Sequence, residues 1–385
     1  MVDAIFQFDQ NHPFVSQRWA HSEPGHDFDI SVESKTLRGG LCEGVQIIQA
    51  KAGPTEVSIV LSRGGGLCEL KFKDVSVGWN SPIQGPVHPS FVPLYRPDGL
   101  GWLAGFDEVM ARCGMLNVGG PEFNQKNQLV LPLHGAIAYQ PCVSAKVFLD
   151  RSNKALHIET VAQETLFHFY SLQLRSRFSL FWDKAMVCVE DEIVNVGGRP
   201  AGAMMLQHWN FGPPIAEGDS KLTVGFHEVA PRNRHAAASV ANWNVLDPPT
   251  AGAEETVYFF NPIADSDGIA HAMLENASGD HAVSVDWQVA GMPCLTVWKN
   301  PVATEDGYAL GIEPGTCFPN GNQFEKGAKR LIELQPGQSH RCLVNVSGII
   351  NDAHQVAIKR DQIQHLAENM DCVTYVVPQS QFGPV

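Results

Sequence analysis

What most limits the fold of this chain is how often it is interrupted. Thirty-five glycines and twenty-five prolines in 385 residues leave short apolar or alternating runs between turns, and helical spacing is seldom sustained. Residues 145–149 and 155–161 flank a polar 150–154 segment and read as a hairpin. Runs of the same kind cover 167–181, 185–194, 281–287, 294–298, 331–334 and 341–346, with turn residues between them. One helix is expected from an Asp352 cap to about Met370, with Val356, Ile358, Ile363 and Leu366 on one face. Short helical pieces are expected near 105–112 and near the N-terminus, and 231–249 reads as an excursion loop over one face. Regular strands without a second periodicity predict an all-β chain. Two large antiparallel sheets would pack face to face in a single unit over 1–385, with few short helices.

Composition narrows the partners. A net charge of -14 argues against nucleic acid and anionic membrane surfaces. No run of about 18 apolar residues is present to span a membrane as a helix, and the acidic N-terminus does not read as a signal peptide. Nine cysteines without a Cys-x-x-Cys pair fit reduced thiols in a cytoplasmic protein.

Four stretches gather ionisable, aromatic and turn residues. Trp79, in Gly78-Trp-Asn-Ser-Pro82, could stack on a ligand. Arg112 and Asn117, in the glycine-rich run to Glu122, are plausible donors to a polyol, but the spacing is wrong for a phosphate loop. His134 precedes a glycine at a strand entrance. Met204–Pro214 carries His208, Trp209 and Asn210, and alternation puts His208 and Asn210 on one side and Trp209 on the other. A fifth stretch, Tyr308-Ala-Leu-Gly-Ile312, reads as a buried strand with Glu313 at its mouth. A partly desolvated carboxylate there suits a general base. His134, His208 and Glu313 could alternatively be metal ligands, although no His-x-His pair or close helical spacing supports a metal.

In this order, the stretches around Trp79, Cys113-Gly-Met-Leu-Asn-Val-Gly119, Leu133-His-Gly135, His208-Trp-Asn-Phe-Gly212 and Glu313-Pro-Gly-Thr316 resemble the aldose 1-epimerase (galactose mutarotase-like) superfamily. The likeness is to an uncharacterised bacterial branch and is strongest over 60–345. It implies a β-supersandwich and an isomerase that interconverts α and β anomers of a free sugar without a metal or organic cofactor. It implies Glu313 as base, His208 as acid and His134 as the positioning histidine. Arg112 is the nearest match to the family's sugar-holding arginine, and Asp286 or Lys299 falls near its aspartate. Trp79, Trp209 or Trp298 would face the ring, with Asn117 and Asn210 as further polar contacts. The implied partner is a small carbohydrate, and a homodimer is compatible with the sequence. Two other readings remain open at this stage: a non-catalytic sugar sensor, and an isomerase or lyase for a keto or acidic sugar.

Overall fold

A computed structural model describes residues 2–22, 29–368 and 370–385. Two sheets form the body, as the strand pattern predicts. The nine-stranded sheet runs in the order Val2–Phe8, Cys142–Asp150, Ala155–Leu166, Tyr170–Phe181, Met186–Asn195, Ser339–Ile349, Ala282–Gln288, Ile269–Glu275 and Lys221–Val224. The fourteen-stranded sheet carries Gly66–Phe72, Met110–Met115, Ala201–Phe211, Ala309–Gly315, Cys294–Asn300 and Thr256–Pro262 side by side at its centre. Nearly all pairing among the described strands is antiparallel, but Phe226–Pro231 and Val373–Thr374 pair in parallel. Side chains from both sheets, Ile48, Phe72 and Ile312 from one and Phe178, Val189 and Val344 from the other, merge into one apolar core. The protein is a large antiparallel β-sandwich with few short helices.

The expected hairpin is present, pairing Cys142–Asp150 with Ala155–Leu166. The Asp352 carboxylate accepts from Gln355 N at 3.0 Å and starts a helix over Ala353–Leu366, which buries Val356 and Ile363. Two helical expectations give way to strands. The N-terminal segment is Val2–Phe8, an edge strand on Cys142–Asp150. The 105–112 region passes from a 3-10 turn, Gly101–Gly105, into the strand Met110–Met115. Sheet pairing outweighs local propensity there. The 231–249 excursion holds a short helix, Arg234–Ala238, capped by Asn233. It does not lie over one face: Leu246 N bonds Ser220 O beside one sheet, and the Asp247 carbonyl takes the Tyr308 hydroxyl beside the other. It ties the two together.

Strands of a two-layer sandwich ordinarily alternate between core and water. Met110–Met115 and Ala309–Gly315 are instead buried throughout, and so is most of Ala201–Phe211. Their outer face is covered by the long connections on either side of Met110–Met115. These bring Val92, Trp102, Phe106 and Tyr139 down onto Ala111, Cys113, Met204 and Leu206 in a second apolar cluster. The site lies in this cover.

Candidate active site

Sheet register builds the centre of the site. The ladder pairs Leu206 with Gly315 and Trp209 with Ile312, so His208 stands opposite Glu313. Pro314 has no N–H to give that ladder, and on this side the pairing skips Gln207 and His208. His208 also pairs with Ala111 on the other side, and Glu313 pairs with Thr296. Four adjacent strands therefore set Ala111, His208, Glu313 and Thr296 in one row on the outer face. Glu313 lies within its strand rather than at the mouth. His208 Nε2 is 3.2 Å from Glu313 Oε1, close but poorly aligned as a hydrogen bond, which is common in empty catalytic sites. Gly311 makes the approach possible: a Cβ there would lie 2.9 Å from Glu313 Oε1 and 3.2 Å from both His208 Cε1 and Trp298 Cβ.

His134 stands beside this pair, its ring 5.9 Å from that of His208. It holds a left-handed backbone, φ 55°, which is uncommon for a residue with a side chain. Its ring Nδ1 is 2.7 Å from the Val118 carbonyl. A carbonyl can only accept, so Nδ1 carries the proton and Nε2 keeps a lone pair. Asn117 supports the loop from beneath, donating to the carbonyls of Gly119, Gly120 and Pro132.

Burial sets the protonation states. It pushes the Glu313 carboxyl well above the ordinary range, with the Glu255 charge adding to the effect. It pulls His208 down to about 3, helped by neighbouring His134 and weakly opposed by the Asn210 amide. It pulls His134 down to about 4. Desolvation dominates all three. Burial therefore favours the uncharged forms, the carboxyl of Glu313 and the neutral imidazole of His208.

These groups open into a pocket of about 310 Å³, at the small end of small-molecule sites. Trp102, Phe106 and Trp298 wall it. The Phe106 and Trp298 rings lie 5.2 and 5.4 Å from that of His208. Arg232 and Glu255 form one edge of the mouth. Arg232 Nη2 donates to Glu255 Oε1 at 2.8 Å, and the Trp298 indole donates to Glu255 Oε2 at 2.6 Å. Arg63 braces the wall from behind, donating to Gly105 O at 2.6 Å and Asp107 at 2.7 Å.

The structure thus brings Glu313, His208, His134 and Trp298 together. Other residues singled out in the sequence lie elsewhere. Arg112 is buried on the opposite face, bidentate to Asp191 with both contacts at 2.9 Å. Trp209 also points inward, its indole on Gln207. Lys299 follows the alternation of its strand away from the pocket, to the Asn242 carbonyl and Asp247. Asp286 belongs to the other sheet and pairs with His271 and Lys359. Trp79 packs behind Phe106, 4.8 Å between rings, and donates to Glu108 O. Asn117 and Asn210 spend their amide N–H groups on backbone carbonyls. Sequence reasoning missed Arg232, Glu255, Thr296, Trp102 and Phe106. Thr296 was within reach, since it shares a strand face with Trp298. Arg232 and Glu255 come together only because the strands flanking the excursion pair, with Pro231 opposite Tyr258.

This architecture is that of the galactose mutarotase-like proteins. Within it the chain belongs to the family described as Domain of unknown function (DUF4432), which matches residues 42–347. A crystal structure from Klebsiella pneumoniae subsp. pneumoniae, described as a "putative aldose 1-epimerase", is 27% identical. It superposes with a TM-score of 0.92 over 97% of this chain and 98% of that one. A galactose mutarotase-like protein from Clostridium acetobutylicum shares the fold at 16% identity, with a TM-score of 0.57 over 82% of this chain and 98% of that one. A galactose mutarotase related enzyme from Lactobacillus acidophilus does so at 12%, with a TM-score of 0.53 over 80% and 98%. Comparison with curated proteins gave no match.

Proposed function

We propose that this protein is an isomerase of the aldose 1-epimerase type, exchanging the α and β anomers of a small free sugar. The observation that carries the reading is the His208–Glu313 pair, 3.2 Å apart, at the buried floor of an aromatic-walled pocket. Mutarotation needs one proton taken from the O1 hydroxyl and one given to the ring oxygen. A carboxyl–imidazole pair holding a single proton can do both. Transfer of that proton from Glu313 to His208 creates the carboxylate and imidazolium without exchange with solvent. Glu313 then accepts from O1 as C1 becomes a carbonyl, and His208 donates to the ring oxygen as the C1–O bond breaks. Rotation about C1–C2 and the reverse steps close the ring on the other carbonyl face. His134 Nε2 is placed to accept from a sugar hydroxyl, and the indole and phenyl walls suit the apolar face of a pyranose.

The test is exchange NMR on a panel of free aldoses. Faster interchange of α and β signals for at least one sugar, lost in Glu313→Gln, is the expected result. Saturable sugar binding without faster exchange would instead make the protein a sensor.

A further inference from the structure

The pocket has a depth order. Glu313 and His208 are 3% and 5% exposed and form its floor, so the anomeric end of a substrate must go in first. At the mouth the two edges differ in chemistry. One is the Arg232–Glu255 pair, whose charges match each other and leave no spare cation for a phosphate or carboxylate. The other is apolar: Leu100 and Leu103, 41% and 45% exposed, stand on and beside the 3-10 turn whose Trp102 faces inward. Two part-exposed leucines at a sugar-sized pocket form an apolar patch that a fully hydroxylated hexose would leave unused. The apolar group they fit cannot be an aglycone on O1, because mutarotation requires that hydroxyl free. It must be at the far end of the ring.

We infer that the substrate is a 6-deoxyhexose, a neutral sugar whose C6 methyl lies on the Leu100–Leu103 ledge while its anomeric end meets His208 and Glu313. This rests on the mutarotase reading above and goes beyond it to the substrate class. A C6 hydroxyl placed on the same ledge would lose water without gaining a partner there.

The experiment is exchange NMR on matched pairs: 6-deoxy-D-glucose with D-glucose, D-fucose with D-galactose, and L-rhamnose with L-mannose. In at least one pair kcat/KM should favour the deoxy sugar by about tenfold to a hundredfold, the range one methyl or hydroxyl gives in an apolar subsite. Leu100→Asn and Leu103→Asn, both at partly exposed positions, should bring that ratio toward one. Catalysed exchange with ratios near one, or in favour of the hydroxylated sugar in every pair, overturns this inference and leaves the mutarotase reading standing. A deoxy preference untouched by both leucine variants overturns the ledge. No catalysed exchange in any sugar overturns the mutarotase reading and this inference with it.

Discussion

The two faces of the Ala201–Phe211 strand bury polar side chains in equal depth and opposite style. On the inner face Trp209 donates to Gln207, Gln207 to Asp191 at 2.8 Å, and Arg112 takes both Asp191 oxygens and two backbone carbonyls. Its hydrogen bonds link into one closed network. On the outer face His208 Nδ1, Asn210 Oδ1, Glu313 Oε1 and Thr296 Oγ1 are all buried without a hydrogen-bond partner. Burial therefore does not separate scaffold from site in this molecule. On this strand hydrogen bonding does: the inner network is closed, whereas the outer row beside the pocket keeps polar atoms without a protein partner.

Substitutions on the two faces should fail in different ways. Glu313→Gln keeps the shape of the floor and removes the proton carrier. It should cost about 10²- to 10⁴-fold in anomer exchange with the melting temperature unchanged or raised; a wild-type rate would remove Glu313 from the chemistry. Arg112→Met leaves Asp191 buried and unpaired, which should cost about 3–5 kcal/mol of stability. Urea unfolding would read this loss, and the molecules still folded should turn over sugar normally. A stable Arg112→Met protein with no activity would mean the inner network has a catalytic part.

The contrast also shows what the sequence could say. Alternation correctly put His208 and Trp209 on opposite sides, and turn residues marked the hairpins and the Asp352 cap. Neither says which side of a strand meets the other sheet. Arg112 therefore looked like a sugar ligand, although its partner Asp191 is 79 residues away on the facing layer. The register that sets Glu313 against His208 is equally non-local, and only the resemblance to a known family linked them beforehand. Arg232 and Glu255 were hidden for the same reason: they lie 23 residues apart in the chain, and strand pairing brings them together.

Gly311 gives a smaller and more pointed version of the comparison. Its neighbour Ile312 belongs to the inner core, while a Cβ at 311 would crowd Glu313, His208 and Trp298 together. Gly311→Ala should lower kcat on the order of tenfold through misplacement of the pair. Thermal melting should change little, because the crowded side borders the pocket. Unaltered kinetics would show that the pair tolerates displacement.

The smallest expected effect is in the pH profile, and it tests whether the outer face owes its chemistry to dryness. Burial holds His134 near 4 and His208 near 3, so the single-proton pair should persist well below the ordinary histidine range. As pH falls, a second proton reaches the floor only near those values and removes the base. The acid limb of kcat/KM should therefore lie near pH 4 rather than near 6.5. The Phe106 ring, 5.2 Å from that of His208, is part of what keeps water out. Phe106→Ala should lift both depressed histidines, and with them the acid limb, by about one pH unit toward 6.5. A limb already near 6.5 in the unaltered protein would mean that water reaches the pair and that the outer face is not set apart by desolvation.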